Sequence, residues 1–310
     1  MRVAIIDLGT NTFNLLIAEV FPDNTYDTLY KNKIPSRLGE GGINKGLIQP
    51  AAFKRGLEAL EEHHQVILRY EVDEILAFAT CAIRSASNGR EFVKQAREVT
   101  GIDIEIITGD REAELIYYGV RSAVEMTEDH SLIMDIGGGS TEFIIANASG
   151  IIWEHSFELG AARLMDRFEP SDPITAVQIE ELRDYLLKEL RPLSDAVEKY
   201  KVTELLGSSG SFDSLAEMIA HRYHTPDVLK GKTEFTFNLE DSEAIYLDLL
   251  RSSREERLNM EGLIEMRVDM IVVSAIFVHL ILTTLHIDRM RLSTYSLKEG
   301  ALWELLHPKK

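Results

Sequence analysis

"SLIMDIGGGSTEFIIA", residues 131–146, combines two short apolar runs with a glycine-rich turn between them. Apolar runs of this length that are bounded by turn residues are typical of buried strands. Three consecutive glycines cost conformational entropy on folding, so an ordinary turn would use fewer of them. The stretch therefore predicts a strand pair whose turn has a task of its own, with Asp135 before the turn and Glu142 after it.

The beginning of the chain repeats this pattern. Residues 3–9 read VAIIDLG and match residues 131–137, so that Asp7 corresponds to Asp135. The match continues without a gap into the following apolar run. A repeat of about one domain's length predicts two halves with the same fold. Asn14 occupies the position that matches Glu142, so only the second half has a carboxylate there.

Strand and helix patterns alternate around these two copies, which favours an α/β fold with crossover helices. In the first half we expect strands at 73–80 and 103–108 and helices at 51–70, 89–101 (ended by Gly101) and 110–124 (opened by Asp110). In the second half we expect one helix at 171–193, a strand, turn and helix at 202–220, a surface excursion at 221–241, a buried helix at 270–287, and a closing strand and helix at 288–306.

This pattern predicts two domains, which span residues 1–122 and 123–296, with a cleft between them. The C-terminal helix, residues 297–310, would complete the first domain.

Composition narrows the classes of function. The chain has 310 residues, of which 45% are hydrophobic, and its formal charge of −18 disfavours nucleic acid and acidic membrane surfaces as partners. The single cysteine, Cys81, suits a reducing cytoplasm. Residues 270–287 carry no formal charge but contain two histidines, so we expect a buried helix and no membrane span. Apolar surface around this helix predicts a homodimer.

The paired turns suit a phosphate clamp. Glycines let backbone N–H groups approach an anion closely, and neighbouring hydroxyl groups add donors. Aspartates supply the hard oxygen ligands that Mg²⁺ prefers. Two ordinary hairpin turns are the alternative, but an aspartate in register in both copies favours the clamp. The predicted phosphate-binding residues are Gly9, Thr10, Asn11 and Thr12 in the first turn, Gly137, Gly138, Gly139 and Ser140 in the second, and Gly207, Ser208, Ser209, Gly210 and Ser211 at a predicted helix N-terminus.

With these turns, the sequence resembles the exopolyphosphatase/guanosine pentaphosphate phosphohydrolase family of the actin-like, sugar-kinase and Hsp70 superfamily. The resemblance is collinear over nearly the whole chain, in the motifs LGEGG (38–42), ATCAIRSASN (79–88), ITGDREAELIY (107–117), DIGGGSTE (135–142), SFELGAARL (156–164), GSSGS (207–211), EGLIEMRVD (261–269) and STYSLKEGAL (293–302). The order of eight motifs is far more specific than any one of them.

The resemblance implies two ribonuclease-H-like (actin-like ATPase) domains and Mg²⁺-dependent hydrolysis of the terminal phosphate of inorganic polyphosphate or of guanosine penta- or tetraphosphate. It also implies roles for individual residues. Glu112 matches the catalytic base, and Asp135 and Glu142 match carboxylates that hold Mg²⁺ or the attacking water. Asp7 matches the aspartate of the first turn, which we expect near the metal, and Arg84 matches an arginine that contacts the substrate phosphates.

Two further functions remain open at this stage. An ATP-dependent kinase of the same superfamily would place its adenosine near residues 207–211. A non-catalytic sensor of guanosine alarmones would fit two departures from the family pattern, namely Arg111 where an acid is frequent and Asn14 where a basic residue is frequent. Beyond the site, the basic residues expected to contact further phosphates are Lys31, Lys33 and Arg37. So few cations can hold only a few phosphates, which predicts a preference for short polyphosphates.

Overall fold

The protein, described by a computed structural model over residues 1–308, is built on two β-sheets. The first sheet comprises β1 (Arg2–Leu8), β2 (Thr12–Val20), β3 (Tyr26–Pro35), β4 (Glu74–Ala79) and β5 (Ile104–Ile106). The second sheet comprises β6 (Ser131–Ile136), β7 (Thr141–Asn147), β8 (Gly150–Phe157), β9 (Glu204–Ser208), β10 (Glu234–Thr236) and β11 (Met290–Ser293).

Twelve α-helices connect and cover these sheets in the described residues. They are α1 (Pro50–Arg69), α2 (Cys81–Ser85), α3 (Gly89–Thr100), α4 (Gly109–Ala123), α5 (Ala161–Phe168), α6 (Ala176–Glu189), α7 (Arg191–Tyr200), α8 (Ser209–Tyr223), α9 (Leu239–Arg251), α10 (Arg254–Leu258), α11 (Ile271–Thr284) and α12 (Leu297–Leu306).

The two sheets share one topology, as the sequence repeat predicts. Their strand orders are β3-β2-β1-β4-β5 and β8-β7-β6-β9-β11, with β10 added at the far edge of the second sheet. In each sheet the first strand pairs antiparallel with the second and parallel with a later strand. The registers also agree, because Asp7 faces Asn14 and Asp135 faces Glu142 across the two hairpins. The predicted α/β class with two ribonuclease-H-like (actin-like ATPase) halves is confirmed.

The apolar core forms three layers around the sheets. One lies between the first sheet and α1 and α3, and another lies between the second sheet and α6, α8, α9 and α11. The central layer joins both sheets through α4 and α12, and it contains Ile5, Ile133 and Leu302. Because β1 and β6 are covered on both faces, they read as continuous apolar runs rather than as alternating patterns.

The contact between α4 and α12 depends on two glycines. A Cβ atom added at Gly300 would lie 1.7 Å from the carbonyl oxygen of Leu115, and one added at Gly119 would lie 2.0 Å from that of Ser296. No side chain fits at such distances, so glycine is what lets the two helix backbones approach each other. The C-terminal helix therefore packs against a helix of residues 1–122, and its assignment to the first domain stays a prediction. Residues 309 and 310 of that predicted helix lie outside the described residues.

All strands of the first sheet come from residues 1–122, and all strands of the second sheet come from residues 123–296. The division into domains at residue 122 stays a prediction. The buried helix that we expected at 270–287 is α11, in which 10 of the 14 residues are buried and most are apolar. Among the described residues, no helix has both the length and the apolar character needed to cross a bilayer.

Several predicted boundaries are wrong for local reasons. Helix α4 is opened by Thr108, whose hydroxyl accepts from the Arg111 N–H, and not by Asp110. The single helix expected at 171–193 is two helices, α6 and α7, and α6 begins after a capping box that Thr175 forms with Gln178. No separate turn follows β9, because the strand continues directly into α8. Strands β3 and β8 were not predicted, since their burial patterns are irregular.

Candidate active site

A cleft of about 470 Å³ lies between the two glycine turns and brings most of the predicted site residues together. The predicted residues that line it are Asp7, Gly9, Thr10, Asn11, Thr12, Glu112, Asp135, Gly137, Gly138, Gly139, Ser140, Ser209 and Gly210. The first sheet supplies one wall and the second sheet supplies the other. The cleft therefore lies where the repeated halves of the sequence meet.

Gly138 and Gly139 of the second turn let the two turns touch. A Cβ atom added at Gly138 would lie 2.7 Å from the side-chain nitrogen of Asn11, and one added at Gly139 would lie 2.7 Å from the Thr10 hydroxyl oxygen. A Cβ at Gly160 would collide with the backbone of Gly138, so a further loop also packs closely on this turn. The unusual run of glycines in the sequence is thus explained by close backbone approach.

Each of the two turns is closed by the same kind of internal hydrogen bond. The N–H of Gly9 donates to the Thr12 carbonyl over 3.1 Å, and the N–H of Gly137 donates to the Ser140 carbonyl over 3.0 Å. The N–H groups at the tips of the turns are different. Within residues 1–308, the backbone N–H groups of Thr10, Asn11, Gly138 and Gly139 donate to no protein acceptor. Four such donors beside one cleft form a cradle that suits an anion.

Two equivalent aspartates flank this cradle. Asp7 accepts a hydrogen bond of 2.9 Å from the Asn14 amide, which lies opposite it on β2. Asp135 accepts from two hydroxyl groups, those of Ser208 and Ser296, on the same carboxylate oxygen. Because both bonds fall on one oxygen, the second oxygen of Asp135 makes no hydrogen bond to another described residue. It is therefore available to a cation or to water.

Glu112 enters the cleft from the first turn of α4. Its carboxylate accepts a hydrogen bond of 2.8 Å from the Arg84 guanidinium, which also donates to the Ile107 carbonyl. A Cβ at Gly109 would lie 2.4 Å from the Cβ of Ser156, so glycine allows the start of α4 to dock against β8. Arg84 is bonded to Glu112 and does not line the cleft. Its predicted contact with substrate phosphates stays a prediction.

Glu142 lies behind the cleft surface, with only 1% of the residue exposed. The Ser156 hydroxyl donates to its carboxylate over 2.7 Å. Three of the predicted phosphate-binding residues also face away from the cleft. Gly207 lies under the Phe212 ring, the Ser208 hydroxyl is bonded to Asp135, and the Ser211 hydroxyl is bonded to Ser274. Only Ser209 and Gly210 of that segment reach the cleft.

Burial and mutual repulsion raise the pKa values of three of these carboxyl groups. Burial raises the pKa of Asp7 to about 6, although Lys298 and the Asn14 amide lower it. Burial also raises the pKa of Glu142 to about 7, and the nearby charge of Asp135 adds to that rise. The pKa of Glu112 is raised well above its usual value by burial and by Glu142, against the opposing effect of Arg84. Clustered carboxyl groups with raised pKa values are typical of catalytic sites.

Several functional candidates were missed by the sequence reasoning, although the quoted motifs contain or border them. Lys298 and Glu299 lie at the start of α12, Arg267 lies in a short 3₁₀ turn, and Asp213 lies on α8. Burial opposes the charge on Lys298, but Glu299, Asp7 and other acids outweigh it and raise the pKa of this amine. The Arg267 guanidinium makes neither a hydrogen bond nor an ion pair with another described residue, and it packs on Gly210.

A divalent cation fits the charge of the cleft. The charged residues that line it are five acids and four bases, so the cleft does not by itself offer a net positive charge to a phosphate chain. Carboxylate oxygens are suitable ligands for Mg²⁺. Within the described residues, no group of three or more acidic, histidine or cysteine side chains has the geometry of a metal site. Mg²⁺ usually takes one or two carboxylates and completes its shell with water and substrate phosphates, which is compatible with this arrangement.

Comparison with known proteins settles the family. The Ppx/GppA phosphatase family matches residues 16–309, which is most of the chain. The chain belongs to the Ppx/GppA phosphatase family. As a member of this family it is similar to the crystal structure of an exopolyphosphatase from Cytophaga hutchinsonii, with 40% identity, a TM-score of 0.97, and coverage of 100% of this chain and 99% of the other.

Other Ppx/GppA proteins resemble the chain over comparable lengths. Exopolyphosphatase 1 of Mycobacterium tuberculosis is 26% identical and covers 97% of this chain and 87% of its own length. The PPX-GPPA enzyme of Aquifex aeolicus is 25% identical, with a TM-score of 0.79, and covers 98% of this chain and 99% of its own. The predicted family is therefore confirmed, and the kinase alternative is not favoured.

Proposed function

We propose that this protein removes the terminal phosphate of a linear phosphoanhydride chain by attack of water. Inorganic polyphosphate is the substrate that we favour, and guanosine pentaphosphate is the second candidate. The observation that carries the proposal is the pair of glycine turns, whose free N–H groups face a cleft that also contains Asp7, Glu112 and Asp135. The names of the relatives support a chain of phosphates as the ligand.

Glu112 is the group that we assign to the attacking water. A phosphoryl transfer needs positioning and charge neutralisation more than covalent help, and a carboxylate of raised pKa is a suitable acceptor for the proton of the water. The Arg84 guanidinium fixes one carboxylate oxygen of Glu112 at 2.8 Å and leaves the other for the water. Arg84 is therefore a positioning residue in this account.

The phosphates lie against the turns and the basic side chains. The N–H groups of the turns would bind the terminal phosphate, and Arg267 supplies a guanidinium that forms no ion pair with a carboxylate of the described residues. Asp135 and Asp7 are the residues that would hold Mg²⁺, while buried Glu142 shapes the site from behind. When bound, Mg²⁺ supplies charge neutralisation at the scissile phosphate. The departure at Asn14 has a structural use, because its amide fixes the Asp7 carboxylate.

The test is phosphate release from polyphosphate, guanosine pentaphosphate and ATP, each with Mg²⁺ and with a chelator. We expect release from polyphosphate that requires the metal, with slower release from ATP. Release from guanosine pentaphosphate alone would make the second candidate correct. A sensor without catalytic activity would bind these ligands and release no phosphate, which would contradict the proposal. A homodimer and a cytoplasmic location stay predictions.

The raised pKa values predict how metal and pH act together on stability. Between their ordinary values near 4 and their raised values of about 6 and 7, Asp7 and Glu142 bind more protons in the folded protein than in the unfolded chain. The free energy of unfolding without metal should therefore fall as pH rises through this interval. Mg²⁺ should raise the thermal midpoint more at pH 8 than at pH 5, because protons no longer compete for the carboxylates.

Thermal unfolding at constant ionic strength measures this effect, and Asp7→Asn is the informative variant. It removes one of the carboxyl groups with a raised pKa, so its pH dependence and its response to Mg²⁺ should both be smaller. An equal shift by Mg²⁺ at both pH values would contradict binding at the Asp7 carboxylate. It would point instead to general screening of the acidic surface.

A further inference from the structure

A second cavity of about 530 Å³ continues from the catalytic cleft. The two cavities share Lys33, Gly210, Asp213, Arg267 and Thr294 in their linings, so these residues form the passage between them. A phosphate chain whose terminal group lies at the glycine turns would leave the cleft through this passage. The charges at the passage therefore act on the phosphates behind the scissile one.

An ion pair spans this passage. Lys33 lies on β3 of the first sheet and Asp213 lies on α8 of the second half, and their charged atoms are 3.6 Å apart. The side chains are 46% and 35% exposed because they face the open cleft. Arg267 is the other cation at this point, and it also acts on Asp213. One carboxylate thus forms an ion pair with Lys33 and attracts Arg267, and both cations could bind phosphate.

The second cavity offers no excess of positive charge beyond the passage. Its cations are Lys33, Arg267 and Lys232, and its acids are Asp213, Glu217 and Glu234. Linear polyphosphate carries negative charge along its whole length, and its binding depends on local cations. A chain that enters this cavity therefore gains little electrostatic attraction, and Asp213 is the first acid that it meets.

We propose that Asp213 restricts the length of phosphate chain that the protein binds. Its carboxylate repels the chain in the passage, and its ion pair with Lys33 keeps that cation from binding phosphate. The proposal rests on the proposed function and names the residue that sets its substrate range. Burial raises the pKa of Asp213 despite Lys33, and burial lowers the pKa of Lys33 despite Asp213. Burial therefore acts against both charges, and neutralisation of Asp213 would release Lys33 from its ion pair.

The experiment measures binding rather than turnover. Asp213→Asn is placed in the chain together with Glu112→Gln, which slows hydrolysis, and dissociation constants are measured by calorimetry for pyrophosphate and for long-chain polyphosphate with Mg²⁺ present. Removal of one unit charge a few ångströms from a bound phosphate is expected to tighten long-chain binding by about tenfold. Binding of pyrophosphate should change by less than about twofold, because its two phosphates would lie at the glycine turns, farther from Asp213 than the phosphates in the passage.

Two further variants complete the design. Asp213→Ser removes the same charge with a smaller side chain, so agreement between the two Asp213 variants excludes a packing effect. Glu198→Gln makes the same change in net charge at an exposed position on α7 and should leave both dissociation constants unchanged. An unchanged ratio of long-chain to pyrophosphate affinity in both Asp213 variants would overturn the proposal, and so would an equal gain for both ligands.

Phosphate release by the otherwise unaltered chain is measured in parallel. Absence of release from any polyphosphate contradicts the proposed function, whereas the affinity ratio reports on Asp213 independently of turnover. The two failures are therefore distinguishable.

Discussion

Replacement of Glu112 by glutamine is expected to lower kcat by about 10²–10⁴-fold, which is the usual contribution of a positioned general base. Glutamine keeps the shape of the side chain and can still accept the hydrogen bond from Arg84, so the fold and substrate binding should remain. The wild-type rate should rise with pH as Glu112 loses its proton, since burial raises the pKa of this group. That limb of the pH profile should disappear in the variant.

Steady-state kinetics and the pH profile measure this prediction, and Asp110→Asn is the matched control. Asp110 lies in the same first turn of α4 but its side chain is exposed, so its neutralisation should leave kcat unchanged. Turnover near the wild-type value in Glu112→Gln would remove Glu112 from the mechanism. A loss of equal size in Asp110→Asn would indicate that the start of the helix, and not a base, is responsible.

Replacement of Gly300 by alanine is expected to lower the free energy of unfolding by about 3 kcal/mol, the upper end for overpacking of a core. Helix propensity alone predicts the opposite sign, because alanine is better than glycine in a helix by about 1 kcal/mol. Packing should dominate here, since the added Cβ would lie 1.7 Å from a backbone oxygen of α4 and the helices would have to separate. Activity should fall as well, because Glu112 lies on α4, and Ser296, which donates to Asp135, directly precedes α12.

Urea unfolding of Gly300→Ala and Gly56→Ala separates these effects. Gly56 also lies inside a helix, but a Cβ there would meet the ends of the Leu38 and Phe92 side chains at 2.8 and 2.9 Å. Side-chain ends can move more easily than a backbone carbonyl, so Gly56→Ala should cost less. A stabilised Gly300→Ala variant would show that the contact between α4 and α12 is not a close helix packing.

The sequence repeat made the topology predictable, because the match of Asp7 with Asp135 fixes which strands are equivalent. The same repeat identified the cleft, since the two glycine turns must lie close together to bind the same phosphate group. The contact between α4 and α12 could not be predicted from the sequence. It depends on Gly119 and Gly300, which are far apart in the chain and look like ordinary glycines in helices.

The site residues that were missed are cations and acids that become important only through long-range packing. Lys298 and Arg267 lie in quoted motifs, but nothing local distinguishes a lysine or arginine in a cleft from one on the surface. Asp213 is similar, because its effect arises from Lys33 on the opposite wall. Conversely, Gly207 and Ser211 were predicted to bind phosphate from their composition, yet packing against Phe212 and Ser274 turns them inward.

The most direct test of the central claim is hydrolysis of polyphosphate in ¹⁸O-labelled water, followed by phosphorus NMR of the products. Attack of water on the terminal phosphate, oriented by Glu112 against the glycine turns, places the label in the orthophosphate that is released. The remaining chain should stay unlabelled after each step. Label at the new end of the chain, or phosphate transferred to an added acceptor instead of to water, would contradict the proposed reaction.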